Sequence, residues 1–282
     1  MENRHLEVTT LAGCKVSCSY CPQELFALEH KKVSSNRYLS LDLFKTCLET
    51  VPVSVDIHFS GYVETFLNPD CVKMVRHAYD KGHQVAVYTT VVGVKLEDVE
   101  ELEKMTFKKF IVHLPDDGKH MRVKVDAPYL EVIQRLANSN IPNLEYLDYY
   151  GIHPKVNALI NQEQVVQRKL TSRAGNVTRE FVNETKEISG ALRCRVNRLE
   201  KNVLLPNGDV SLCCVDYGRR HVLGNLTSES YNQLHQNDAF KEILRRMNGK
   251  KGDLLCRTCE WAEPVTFKIR AKKLLKKIKI LK

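Results

Sequence analysis

Short apolar runs rich in β-branched residues alternate with helix-periodic segments through the first two-thirds of this chain, and that alternation limits its fold more than any other feature. The runs lie near residues 6–11, 55–60, 85–90, 110–114 and 144–150. Helical patterns fall between them, at 41–50, 70–81, 96–105, 128–138 and 155–166, and a sixth strand is expected near 168–171. Strands separated by helices of this length need crossover connections and pair in parallel, so the expected class is α/β. The length of 282 residues allows one large domain and a small one.

Directly after the first apolar run stand Cys14, Cys18 and Cys21, spaced three residues and then two. Three thiolates within eight residues can ligate three corners of a cubane cluster and leave its fourth iron without a protein ligand. An open coordination position marks catalytic rather than structural metal sites. A zinc half-site completed by Cys256 and Cys259, or plain buried thiols, are the competing readings; zinc motifs favour paired two- or four-residue gaps, which an odd triplet lacks. Cys47 and Cys71 fall inside helical patterns and read as small buried hydrophobes.

The C-terminal third carries a second set. Apolar segments on either side of Asn207-Gly208 read as a β-hairpin with Cys213 and Cys214 at its exit. Cys194 precedes the hairpin, and Cys256 and Cys259 form a two-residue-gap pair further on. Cys194, Cys213, Cys256 and Cys259 together would fill every corner of a cubane. Cys214 is the alternative to Cys213, and a four-cysteine zinc site is the alternative to a cluster.

The triplet C-x3-C-x2-C, with aromatic Tyr20 before its last cysteine, resembles the signature of the radical S-adenosylmethionine (SAM) superfamily. The resemblance implies a partial (β/α)6 TIM-type barrel with catalytic groups on the loops after its strands. It implies a [4Fe–4S] cluster on Cys14, Cys18 and Cys21, with SAM at the open iron beside Tyr20. The segment from His58 to Pro69 is similar to the family's glycine-rich motif. Ser60 and Gly61 would then give backbone contacts, and Glu64 a carboxylate for the SAM ammonium; Val63 and Thr65 depart from the usual Gly-Glu-Pro. Thr89 and Thr90 after the third strand are expected near the SAM ribose and carboxylate. His113, after the fourth, is a candidate substrate contact or a structural residue.

Gly208 and, after four intervening residues, Cys213 resemble the start of the SPASM and shorter twitch extensions of this superfamily, a hairpin followed by helix. That likeness implies one auxiliary [4Fe–4S] cluster on the second cysteine set. Ser172-Arg173-Ala174-Gly175-Asn176 is similar to a turn near the barrel mouth of such proteins, which makes Arg173 a candidate catalytic or substrate-binding residue. The expected organisation is a barrel over residues 1–178, an auxiliary-cluster domain over 179–263 and a basic helical tail over 264–282.

An electron acceptor beyond the substrate favours net oxidation. The resemblance to single-auxiliary-cluster dehydrogenases implies an oxidoreductase acting on a small polar molecule, a sugar or cyclitol derivative, with a flavodoxin or ferredoxin as reductant. Peptide or protein modification by a SPASM maturase is the first alternative. A non-catalytic metal-binding, membrane-docking scaffold is the second.

Composition bounds the partners. Of the net charge of +9, eight units come from the acid-free stretch 264–282, so the remaining chain is near +1 and no broad nucleic-acid groove is indicated. Within the tail, Phe267, Ala271, Leu274, Leu275, Ile278 and Leu281 recur at helical steps among lysines. This fits either peripheral contact with an anionic membrane or packing on the body. Ten cysteines without a secretory signal read as reduced thiols and a cytoplasmic setting.

Overall fold

The computed structural model describes residues 4–177, 187–249 and 252–266. In chain order the first part comprises β1 (His5–Val8), α1 (Gln23–Lys31), α2 (Leu41–Glu49), β2 (Asp56–Phe59), α3 (Cys71–Asp80), β3 (Val85–Thr89) and α4 (Leu96–Leu102). It continues through β4 (Lys109–His113), α5 (Ala127–Ala137), β5 (Leu144–Asp148), α6 (Pro154–Asn157) and β6 (Val165–Gln167). Strands β1 to β6 pair consecutively and in parallel, as the α/β pattern predicts.

Alternation along these strands makes two surfaces. Leu6, Val8, Ile57, Phe59, Val87 and Val112 point outward and pack with Phe44, Met74, Val99 and Ile133 of the helices in one continuous core. Each such side chain contributes about 1.5–3 kcal/mol by leaving water. The intervening positions, His5, Glu7, His58, Tyr88 and Lys109, line cavities on the inner surface instead. Helix starts follow local chemistry: Ser40 Oγ accepts the Leu43 amide at the head of α2, and Asp126 accepts the Tyr129 amide at the head of α5.

The second part contains β7 (Leu192–Cys194), β8 (Lys201–Leu204), β9 (Asp209–Ser211), β10 (Val222–Asn225), α7 (Tyr231–Leu234), α8 (Asp238–Asn248) and β11 (Ala262–Pro264). The hairpin forms where Asn207-Gly208 places it, with Gly208 at φ +86°. It does not stand apart from the barrel. β8 pairs in parallel with β1, from His5 with Lys201 to Val8 with Leu204, giving a nine-stranded sheet in the order β10-β9-β8-β1-β2-β3-β4-β5-β6. β7 and β11 form a separate antiparallel pair that sets Cys194 opposite Ala262.

Two expectations change. The helix expected over 155–166 is only the short α6, followed by a 3-10 turn at Gln162–Gln164. The sixth strand lies at Val165–Gln167 rather than 168–171, because the β-branched Val165 and Val166 are the residues that pair with β5. Helix α1 was not foreseen. The tail helix expected from Phe267 onward, and the expected boundary at 178/179, lie outside the described residues.

Candidate functional site

The loop after β1 carries the cysteine triplet. Cys14, Cys18 and Cys21 line one cavity together with Tyr20, Ser60, Gly61, Glu64, Thr89 and Thr90, so every N-terminal site residue expected from sequence meets there. Burial pushes all three thiols up from their ordinary value. A cluster reverses that preference, since metal binding requires and stabilises the thiolates. The donor set fits: the Glu64 amide points at Cys14 Sγ at 3.5 Å, and Tyr217 Oη stands 3.7 Å from Cys21 Sγ. The Tyr20 ring lies 5.4 Å from that of Tyr149.

Glu64 is buried and saturated. Its carboxylate accepts Thr89 Oγ1 at 2.6 Å, the Thr90 amide at 2.5 Å, Thr90 Oγ1 at 2.7 Å and the Phe66 amide at 3.2 Å. Four donors occupy the four lone-pair directions of a carboxylate. Burial nevertheless pushes its carboxyl up, against the pull of these bonds. Thr89 and Thr90 are therefore first of all the residues that position Glu64. A cation approaching the carboxylate would displace a threonine hydroxyl. Gly61, at φ +71°, is required by a protein contact rather than by an approaching ligand: a Cβ there would fall 2.3 Å from Thr9 Oγ1. Ser60 Oγ donates to Glu7 at 3.1 Å.

The second set surrounds its own pocket. Cys194 from the end of β7, Cys213 after β9, and Cys256 and Cys259 from the turn before β11 line one small cavity with Leu199, Leu212, Val215 and Leu255. Burial raises Cys256 to about 12 and Cys259 to about 11, while the Arg198 amide points at Cys194 Sγ at 3.3 Å. Four thiols in an apolar wall fit an iron–sulfur cluster. Among the described residues no three Cys, His, Asp or Glu side chains converge on a single-ion position. Cys214 is not in this wall. It faces the barrel cavity, where the Arg198 guanidinium donates to its sulfur.

Arg173 joins the two halves. It lines the triplet's cavity and both larger cavities beside it, while Arg198 lines the larger cavities and the pocket of the second set. Arg173 and Ala174 both have positive φ, 51° and 57°. Glu260, next to Cys259, holds that turn by accepting Ser172 Oγ at 2.9 Å and the Ala174 amide at 3.1 Å. Asn176 Nδ2 adds bonds to the Arg173 and Val215 carbonyls. His113 stands beside Tyr149, ring to ring at 5.8 Å, and burial with the Arg173 charge lowers it to about 4.

Sequence reasoning missed Glu7, His58, Arg198, Tyr217 and Trp261. A signal for the first two was present: polar residues inside parallel strands, which are ordinarily apolar on both faces. Burial pushes Glu7 up, yet its bond to His5 and the charges of Arg198 and His58 prevail and leave it at about 2. Burial lowers His58 to about 3.

Comparison with known proteins agrees with this geometry. The SPASM iron–sulfur cluster-binding domain family matches residues 194–260, the stretch that holds the second cysteine set. An S-adenosyl-L-methionine-dependent 2-deoxy-scyllo-inosamine dehydrogenase of Niallia circulans is 22% identical over 265 residues, 90% of this chain and 91% of that protein. BtrN in complex with AdoMet and 2-DOIA has the same fold, with TM-score 0.59 at 19% identity over 94% of each chain. Streptococcus suis SuiB bound to precursor peptide SuiA gives TM-score 0.59 at 13% identity, over 91% of this chain and 69% of that one. Native anSMEcpe with bound AdoMet gives 0.55 at 13%, over 91% and 86%.

Proposed function

The chain carries a SPASM iron–sulfur cluster-binding domain on a barrel with the fold of radical SAM enzymes, and from that premise we propose that it is a radical SAM oxidoreductase. Its substrate is a small polar molecule of the sugar or cyclitol type. Cys14, Cys18 and Cys21 hold the first cluster. Cys194, Cys213, Cys256 and Cys259 hold the auxiliary one. When bound, the first cluster would supply one-electron reduction of SAM and the auxiliary cluster an electron acceptor.

The residues around the first site then divide the work. Glu64, positioned by Thr89 and Thr90, would receive the SAM ammonium in place of one of their hydroxyls, with the backbone of Ser60 and Gly61 beside it. Tyr20 closes the cavity on the side of Tyr149. Arg173 reaches the substrate between the two cysteine sets.

One observation carries this reading. A cavity of about 460 Å³ runs through the barrel from Lys109 and Glu145 to Arg173, which also lines the triplet's cavity, and to Arg198, which also lines the pocket of the second set. A substrate there has a hydrogen-abstracting site on one flank and an electron acceptor on the other. The volume lies in the range of small-molecule sites, which favours a small substrate over a folded protein.

Anaerobic reconstitution tests it. The expected result is about eight irons per chain, as two cubanes require, with reductive SAM cleavage that disappears in Cys14→Ala. About four irons accompanied by zinc would remove the auxiliary cluster from the proposal. Full iron without SAM cleavage under strong reductant would remove the enzyme.

A further inference from the structure

The cavity inside the barrel has an unusual charge. Five cationic side chains line it, Lys109, Arg168, Lys169, Arg173 and Arg198, against a single carboxylate, Glu145. None of the five forms an ion pair among the described residues. Elsewhere basic side chains do find acids: Lys108 pairs with Asp56, Arg135 with Glu103, Arg193 with Glu263 and Arg219 with Asp209. The imbalance is local, because outside the stretch 264–282 the chain is near neutral.

The five differ in depth. Lys109, at the start of β4, and Arg168 and Lys169, just after β6, are exposed, whereas Arg173 and Arg198 are half-buried. The Nε atoms of both inner arginines are buried and without hydrogen-bond partners, as are Tyr146 Oη and Trp261 Nε1 in the same wall. Trp261 packs against the Arg198 guanidinium at 5.7 Å, which fixes its plane. A guanidinium held in one orientation is pre-arranged for a planar or tetrahedral oxyanion. A cleft lined by one sign of charge concentrates ligands of the other and repels its own.

We propose that the substrate of this site carries an oxyanion, a phosphate ester or a carboxylate, which Arg168 and Lys169 receive at the rim while Arg173 and Arg198 hold the oxygens nearest the reacting carbon. This rests on the small-molecule oxidoreductase reading and narrows it: the sugar or cyclitol is an acidic one. An amino sugar would present a cation to a wall in which five cations face one carboxylate.

Calorimetric titration of the reconstituted, SAM-loaded protein with four probes tests the assignment: glucose 6-phosphate, glucuronate, glucose and glucosamine, with inorganic pyrophosphate as a fifth. The two acids should bind at least tenfold more tightly than glucose or glucosamine, and their order tells phosphate from carboxylate. The double variant Arg168→Gln, Lys169→Gln, checked for wild-type iron content, should bind the acids about tenfold more weakly, as loss of charge-assisted bonds implies. Glucosamine binding as tightly as glucuronate would overturn the inference. So would unchanged acid binding in the double variant, or no binding by any anionic probe. SAM cleavage measured on the same samples separates the two readings. Cleavage without anion preference defeats this inference alone, and anion binding without cleavage defeats the oxidoreductase alone.

Discussion

Cys213 and Cys214 are neighbours in sequence and opposites in space. The backbone after β9 turns one sulfur into the apolar pocket of the second set and the other into the barrel, beside Arg198 and Glu7. Spacing alone left both open as ligands, because adjacent residues in an extended turn point apart and no local pattern says which way. The geometry leads to a separable prediction. Cys213→Ser should lower iron by about four per chain, whereas Cys214→Ser should keep full iron and change only the cavity. Equal iron loss in the two variants would show that the assignment is wrong. Arg173 gives the opposite lesson. The motif marked the residue, but not what holds it at an unfavourable φ, since the anchor is Glu260 on the far side of the sequence. A left-handed non-glycine residue costs about 1–3 kcal/mol and persists where its surroundings enforce it.

At the scale of elements, the parallel strands and the hairpin were legible because their signals are local: β-branched runs, periodicity, Asn-Gly. The shortened α6 was not. Val156, Leu159 and Ile160 look helical, but Asn161 turns its side chain onto the Glu163 amide and ends the pattern. The contact between the two site loops was illegible as well. Tyr62, one residue past Gly61, donates its hydroxyl to the Cys213 carbonyl at 2.7 Å, and its ring lies 4.4 Å from that of Tyr217. Both atoms of that hydrogen bond are buried, and its removal leaves the Cys213 carbonyl with one remaining donor, the Asp216 amide at 3.0 Å. Tyr62→Phe should therefore cost about 0.5–1.5 kcal/mol in urea unfolding, with the iron of the second set released at lower denaturant than in the wild type. An unchanged urea midpoint would mean that water replaces the hydroxyl.

For the molecule as a whole, the polar interior of the barrel predicts its response to acid. His58 is held at about 3 and His113 at about 4, both below the ordinary 6.5, and Glu7 is held at about 2, below 4.5. In each case the unfolded chain takes up the proton first, so stability is complete above the unfolded value and falls as pH drops toward the folded one. Unfolding free energy should decline from about pH 6.5 downward, through the histidines first and Glu7 last. His58→Phe keeps a ring on His5, now 4.0 Å away and stacked, and removes one titrating group. Its urea midpoints, measured on the reduced chain, should fall less steeply between about pH 6.5 and 4 than those of the wild type. Parallel slopes would exclude His58 from the acid response.

The pairing of β1 with β8 has a kinetic side. Val8 and Leu204 sit side by side in the sheet, yet almost the whole barrel lies between them along the chain. Until β8 arrives, one edge of β1 remains open, and closing so long a loop precedes any gain from the contact. Completion of the sheet should thus be the slow step of refolding. A circular permutant that places residues 187–266 ahead of residue 4 shortens the stretch between the two strands to about a third. It should reach the native state faster than the parent chain in stopped-flow refolding, with similar equilibrium stability.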